Sequence, residues 1–222
     1  MSKSLTIAID GPAASGKSVV GSQTAKRLGV RFLDTGMMYR AFTWSALQAG
    51  IDRSDEKALA ALAKSMRMQS ETRDGKDVLL VNGEDATPHV KSREVERAVS
   101  YVSAVSAVRR ALVALQRQIA ADDSIVMVGR DIGTVVLKDA TLKVFLRATV
   151  EERARRRYLE LKRQGKQVDY EDVEAELARR DKIDSERADS PLQAAEDAVM
   201  VDTDHLSIGE VVEEIVELLG DH

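Results

Sequence analysis

Gly11, Gly16, Lys17 and Ser18 stand at the spacing G-x-x-x-x-G-K-S within the stretch IAIDGPAASGKSVVG. The small residues Gly11, Pro12, Ala13, Ala14, Ser15 and Gly16 would let consecutive backbone N–H groups curve closely around a polyphosphate. The N-terminus of the following helix would add its dipole. Lys17 would reach the outer phosphates as a point charge, and the Ser18 hydroxyl is the expected magnesium ligand. The motif follows a short apolar run ending in Asp10 and opens a helical pattern, which is the context it requires. Binding of ATP or GTP is expected; the loop does not name the acceptor. A nucleotide-dependent switch protein is the rival from another class. The sequence lacks the Asn/Thr-Lys-x-Asp motif that usually selects guanine, which disfavours it.

Other charged residues fall where a second anion could be held. FLDTGMMYRAF places Asp34, Thr35 and Gly36 at a strand end, and Arg40 in the next helix. Ligands of open α/β sheets bind at such carboxyl ends, and there Arg40 could clamp an anion bidentately. In isolation Arg40 would read as a helix-surface arginine. Asp34 would lie beside the first strand if the two strands are sequential neighbours. SIVMVGRDIGTVV presents Arg130 and Asp131 at a further strand end, where a loop ion pair is the plainer reading. In DYEDVEAELARRDKIDSERADSPL the apolar stripe Val173, Leu177 continues at helical spacing into Arg180, Asp184 and Arg187. Charges on a core stripe are costly unless paired or bound to a ligand; the alternative is that the stripe ends and these residues are solvated. Pro191 would terminate the segment. Upstream, EERARRRYLELKRQG carries Arg153, Arg155, Arg156 and Arg157, with Glu151–Arg155 and Glu152–Arg156 expected as i,i+4 pairs. This suits a mobile arginine-bearing lid or an ordinary salt-laced surface helix.

Five apolar runs must position these groups: Leu5–Asp10, Val30–Asp34, Ser124–Gly129, Leu142–Arg147 and Ala198–Asp202. Their apolar residues are nearly continuous, as in parallel strands covered on both faces. Helical patterns lie between them, so an α/β sheet with right-handed crossovers is predicted. The first helix should run from Gly16 to Leu28 with Gly29 closing it. The last should open on a capping box of Ser207 and Glu210. MRMQSETRDGKDVLLVNGEDATPHV breaks the rhythm with the turn dipeptides Asp74-Gly75 and Asn82-Gly83. It predicts a small antiparallel insert near residues 66–90, more simply a surface hairpin than a substrate-side flap.

The chain has 222 residues, 44% apolar and 32% charged, enough for a substantial core in one elaborated domain. A net charge of −4 argues against a general nucleic-acid binder. There are no cysteines, which excludes disulfides and thiolate metal sites, and His89, His205 and His222 show no ligand spacing. No segment has the length of a membrane span and the first apolar run is too short for a signal peptide, so a cytoplasmic enzyme is expected.

IDGPAASGKS, LDTGMMYRA, GRDIGTVV, RDKIDSERADSPL and VDT occur in the order in which they stand in the bacterial cytidylate kinases, which the chain resembles over nearly its whole length. The resemblance implies a P-loop NTPase three-layer α/β/α fold with a five-stranded parallel sheet. It also implies a small antiparallel insert in the nucleoside-monophosphate-binding region and a helical lid. On that basis residues 1–222 are a single kinase domain, with residues 35–121 as the monophosphate-binding region and 151–190 as the lid.

The implied reaction is transfer of the γ-phosphoryl group of ATP to CMP or dCMP with Mg²⁺. Ser100, Arg109 and Asp131 would meet cytosine, Arg180 and Asp184 the sugar, and Arg40, Arg130 and Arg187 the acceptor phosphate. Thr35 stands where the family usually has serine. Lys17, Arg130, Asp131 and Arg187 are the implied catalytic set, and Arg157 of the lid would join the loop 11–18 on ATP. Partners would be the small-molecule substrates alone, with no nucleic acid or membrane, and the protein a monomer. Other small P-loop kinases, of UMP/CMP or shikimate type, are the nearest alternatives. Two positions depart from the family pattern: Val128 replaces the usual acid, and Ser18 replaces a glycine common among relatives.

Overall fold

The five apolar runs form one parallel sheet. Its strands are β1 (Thr6–Asp10), β2 (Arg31–Asp34), β6 (Ile125–Gly129), β7 (Leu142–Arg147) and β8 (Val199–Asp202), in the order β2-β6-β1-β7-β8. The computed structural model describes residues 4–73, 76–121 and 123–220. β1 is central and apolar between Thr6 and Asp10: Ile7, Ala8 and Ile9 are completely buried. β2 pairs with β6 rather than with β1, so the expectation that Asp34 lies beside the first strand is corrected. The long crossover from β2 returns the chain to the position between them, and Asp34 lies opposite Val128 while Asp10 lies opposite Gly129.

Helix α1 (Lys17–Leu28) is closed by Gly29, whose N–H bonds to the carbonyls of Ala25 and Lys26. With α8 (Ile208–Gly220) it supplies Val20, Ala25, Val211, Val212 and Ile215 to the core against the sheet. The capping box at α8 forms as predicted: Ser207 N–H donates to Glu210 Oε2 at 2.7 Å, and Glu210 N–H to Ser207 Oγ at 3.3 Å. After β7 come α6 (Val150–Arg163) and α7 (Tyr170–Glu186). A small separate cluster of Ala154, Leu161, Val173 and Leu177 joins them, with Ala13 of the loop before α1 packed into it.

By contacts the chain divides into two units: one runs to Asp34 and resumes at Ile119, and the other is Thr35–Gln118. The second contains α2 (Thr35–Gln48), α3 (Glu56–Ser65), α4 (Arg93–Ala104) and most of α5 (Ser106–Ala120). It also holds an antiparallel sheet of β3 (Met68–Arg73), β4 (Lys76–Val81) and β5 (Glu84–Asp85). That sheet is the predicted insert. Its β4–β5 turn is Asn82-Gly83, with φ of 51° and 88°, as a two-residue hairpin requires. The other predicted turn, Asp74-Gly75, lies outside the described residues. Phe42, Met38, Leu59, Val99, Val108 and Leu112 are buried in this unit. Among the described residues no single helix is long and apolar enough to cross a membrane.

Candidate active site

The loop between β1 and α1 is shaped by one close contact and by positive backbone angles. Gly11 has φ 151°, and a Cβ there would lie 2.2 Å from the carbonyl oxygen of Leu146 on β7. Gly16 turns the chain into α1 at φ 90°. Ala14 takes a left-handed φ of 59° despite its Cβ, at a cost of roughly 1 kcal/mol. Lys17 is buried and curls over its own loop, donating from Nζ to the Pro12 carbonyl at 2.5 Å and to Ser15 Oγ at 3.2 Å. Burial pushes the Lys17 ammonium well below its usual range. Arg130 and Arg180 push the same way, against the opposing pull of Asp34 and Asp10. A polyphosphate would supply the negative charge this lysine is short of. Ser18 Oγ donates to Asp34 Oδ2 at 2.5 Å, bringing a hydroxyl and a carboxylate together beside the loop.

β6 ends at Gly129, and Arg130 and Asp131 follow. Arg130 Nε donates to Asp184 Oδ2 at 2.9 Å, and Asp131 Oδ1 lies 3.7 Å from Arg187 Nη2. Arg187 Nη1 is also 3.9 Å from Asp184 Oδ1. The charged continuation of the α7 stripe is therefore turned inward, as Val173 and Leu177 dictate, and Asp131, Asp184 and Arg187 are buried. Burial raises the Asp184 carboxyl, but Arg130, Arg180 and Arg187 together outweigh it and hold the group below the usual carboxylate range. α7 ends at Glu186, ahead of Pro191, where Arg187 Nε donates to the Ser190 carbonyl at 2.6 Å.

Sequence reasoning missed two further residues. The first is Arg153. The sequence counts it only among the arginines of a lid or surface helix, but it is buried on α6, with Nη1 donating to the Ala13 carbonyl at 3.1 Å and Nε to that of Ala148 at 3.1 Å. Its Nη2 pairs with Asp181 Oδ2 on α7 at 2.6 Å. No local signal marks it, since its partners Ala13 and Asp181 stand on other elements. The second is Asp10, an acid ending a buried apolar strand. Burial pushes its carboxyl up to about 6, against the hydrogen bonds it accepts from the Gly133 and Ile132 N–H groups.

Arg155, Arg156 and Arg157 of α6 are also paired. Arg156 donates to Glu152, to Thr203 Oγ1 and to the Thr203 carbonyl, and Arg157 pairs with Glu160 at 2.8 Å. The predicted Glu152–Arg156 pair forms, but Arg155 pairs with Glu152 at 2.7 Å rather than with Glu151. One carboxylate thus takes both guanidiniums, because positions three and four residues on lie over the same helix face.

Thr35, Arg40, Ser100 and Arg109 belong to the second unit. Thr35 and Arg40 are on α2, the first buried and the second half-buried. Ser100 and Arg109 are buried on α4 and α5. They lie near one another: Arg109 Nη1 donates to the Ser103 carbonyl at 3.2 Å, and Ser103 Oγ to the Ser100 carbonyl at 3.1 Å. The Arg109 guanidinium stands 5.3 Å from the Tyr39 ring centroid.

The Cytidylate kinase family model matches residues 7–221. The Cytidylate kinase of Geobacillus sp. (strain WCH70) is 48% identical over 221 residues, covering 100% of this chain and 99% of that protein. That of Bacillus subtilis (strain 168) is 48% identical over 218 residues, covering 98% and 97%. Among solved structures, shikimate kinase from Acinetobacter baumannii in complex with shikimate superposes with a TM-score of 0.50 at 17% identity, covering 99% of this chain and 94% of that one. Shikimate kinase from Bacteroides thetaiotaomicron gives 0.50 at 14% identity, covering 97% and 98%. At such identity the likeness to these structures is one of fold. With a family match over nearly its full length and relatives close to half identical, the chain belongs to the cytidylate kinase family.

Proposed function

We propose that this chain transfers the γ-phosphoryl group of ATP to the 5′-phosphate of CMP or dCMP, giving ADP and CDP or dCDP. The observation that carries this reading is the buried charge cluster in which Arg130 and Arg187 engage Asp131 and Asp184, in a unit that also carries the phosphate loop and Lys17. An oxygen of the acceptor phosphate forms the new bond to γ-phosphorus as the bond to the β,γ-bridging oxygen breaks. That acceptor is anionic at neutral pH, so no strong general base is needed. The protein supplies positioning and charge neutralisation.

In this reading residues 11–18 hold the donor phosphates, with Lys17 on the outer ones and Arg157 assisting from α6. Arg40, Arg130 and Arg187 take the acceptor phosphate, Thr35 assists in binding the acceptor, and Arg180 and Asp184 hold the sugar. Cytosine N4 donates to a carboxylate, the role given to Asp131, while N3 and O2 accept from Arg109 and Ser100. Uracil presents an acceptor at O4, so Asp131 would disfavour UMP. The Ser18 hydroxyl and the Asp34 carboxylate are hard oxygen donors suited to Mg²⁺ or its water shell. The ion would lower the negative charge of the transferring phosphates. Residues 35–121 are the acceptor-binding region in this scheme and 151–190 the lid that excludes water.

The test is ADP formation from ATP and Mg²⁺ with CMP, dCMP, UMP, AMP and shikimate offered singly. Fast turnover with CMP and dCMP and little with the others is expected. Turnover that no acceptor stimulates, or that shikimate stimulates best, would overturn the reading.

A further inference from the structure

Directly after Arg130 and Asp131 the backbone makes one π turn, Ile132–Val136. Val136 N–H bonds to the Asp131 carbonyl at 3.2 Å and Leu137 N–H to that of Ile132 at 2.7 Å. Such turns are rare and often mark functional sites. Ile-Gly-Thr-Val-Val does not favour it locally, since β-branched residues and glycine are poor helix formers. The first N–H groups of any helical turn lack an acceptor within it. Here Asp10 provides one for each of the first two. Its Oδ1 accepts from Ile132 N–H and its Oδ2 from Gly133 N–H, both at 2.8 Å.

The fit is tight. A Cβ on Gly133 would meet Lys143 Cδ at 3.1 Å and Asp10 Oδ2 at 3.5 Å. Asp10 is itself buried, 4% exposed, and is the last residue of β1, bonded through the chain to Gly11 of the phosphate loop. One carboxylate therefore joins the strand that launches the donor loop to the segment that carries Arg130 and Asp131. A neutral cap would satisfy a single N–H at less desolvation cost. Only a carboxylate offers two equivalent acceptor oxygens side by side.

We propose that Asp10 is a positioning residue for phosphoryl transfer: by accepting from Ile132 and Gly133 it holds Arg130 and Asp131 in fixed register with the phosphate loop. This rests on the reading that Arg130 and Asp131 meet the acceptor nucleotide. The residue acts through the π turn and not on the substrates.

Asp10→Asn keeps the shape and removes one of the two acceptors. Expected for it is a KM for CMP raised about tenfold or more, with the Kd for ATP, measured by calorimetry, changed less than threefold. A lowered melting temperature with an unchanged KM for CMP would overturn the proposal and leave a structural cap. Equal weakening of ATP and CMP would overturn it too. Hydrogen exchange on the unmodified protein gives a readout that needs neither the variant nor turnover. The Ile132 and Gly133 amides should be protected to the same degree as those of β1 and β6. Free exchange at both would refute the anchoring. Protection there in a protein that fails to turn over CMP would refute the acceptor assignment while leaving the anchor in place.

Discussion

Replacing Gly21 by alanine should destabilise this protein, although it lies inside α1, where helix propensity alone predicts a gain of about 1 kcal/mol. A Cβ at this position would come 2.4 Å from Val128 Cγ1 and 3.0 Å from Phe32 Cε2, with Val126 Cγ1 at 3.6 Å. Carbon atoms pack best at about 3.5–4.0 Å, so the first contact is short by about 1 Å. Val128 cannot withdraw, being 1% exposed on β6 between two hydrogen-bonded strands. Overpacking of this kind costs about 1–3 kcal/mol. With two neighbours obstructed the upper end applies, leaving a net loss of about 2 kcal/mol. For a chain of this length that is a fall in Tm of about 4–8 °C.

Val128→Ala alone removes two methyl groups and should cost about 1.6 kcal/mol in transfer free energy, plus a cavity contribution. In the double variant the alanine methyl at 21 enters the space vacated at 128. The two costs should then fall short of additivity by about 2 kcal/mol. Denaturant melts of the four proteins measure this cycle. A Gly21→Ala protein that is more stable than the parent, or a cycle that closes additively, would show that the helix and β6 are not in the tight contact described.

Lys17→Ala should abolish ADP formation while leaving CMP affinity intact; a variant retaining most of its kcat would remove Lys17 from the donor site. The Asp10 carboxyl gives a pH dependence of definite sign. Its pKa is raised from 3.8 to about 6 on folding, so its contribution favours the folded state below about 4 and is lost as pH rises through about 6. The difference of about 2 units corresponds to about 3 kcal/mol. Urea unfolding of the parent and of Asp10→Asn at pH 4.5 and 7 should show the parent losing ground to the variant as pH rises, and the opposite trend would refute the buried, raised carboxyl.

The strands were legible because each is a near-continuous apolar run, and the phosphate loop because its glycines, lysine and serine are fixed by local geometry. The inward turn of Asp184 could be read from Val173 and Leu177, since one helix face carries all three, and Arg187 follows at the end of that helix. The neighbour of β2 could not. A crossover of some 90 residues separates β2 from β6, and nothing within either strand states which edge of β1 the chain returns to. The roles of Asp10 and Arg153 were hidden for the same reason. Their partners stand 122 and 140 positions away in sequence, beyond the reach of any periodicity. The choice of Arg155 for Glu152 over Glu151 turns on side-chain rotamers, which spacing rules leave undetermined.

Arg153 also bears on how α7 is held to the loop before α1. Its guanidinium touches the donor loop at Ala13 and α7 at Asp181 simultaneously. Any separation of α7 from this loop must therefore break both contacts of one guanidinium together, so Ala13 and the turn of α7 at Asp181 are held as a unit for as long as Arg153 keeps its grip.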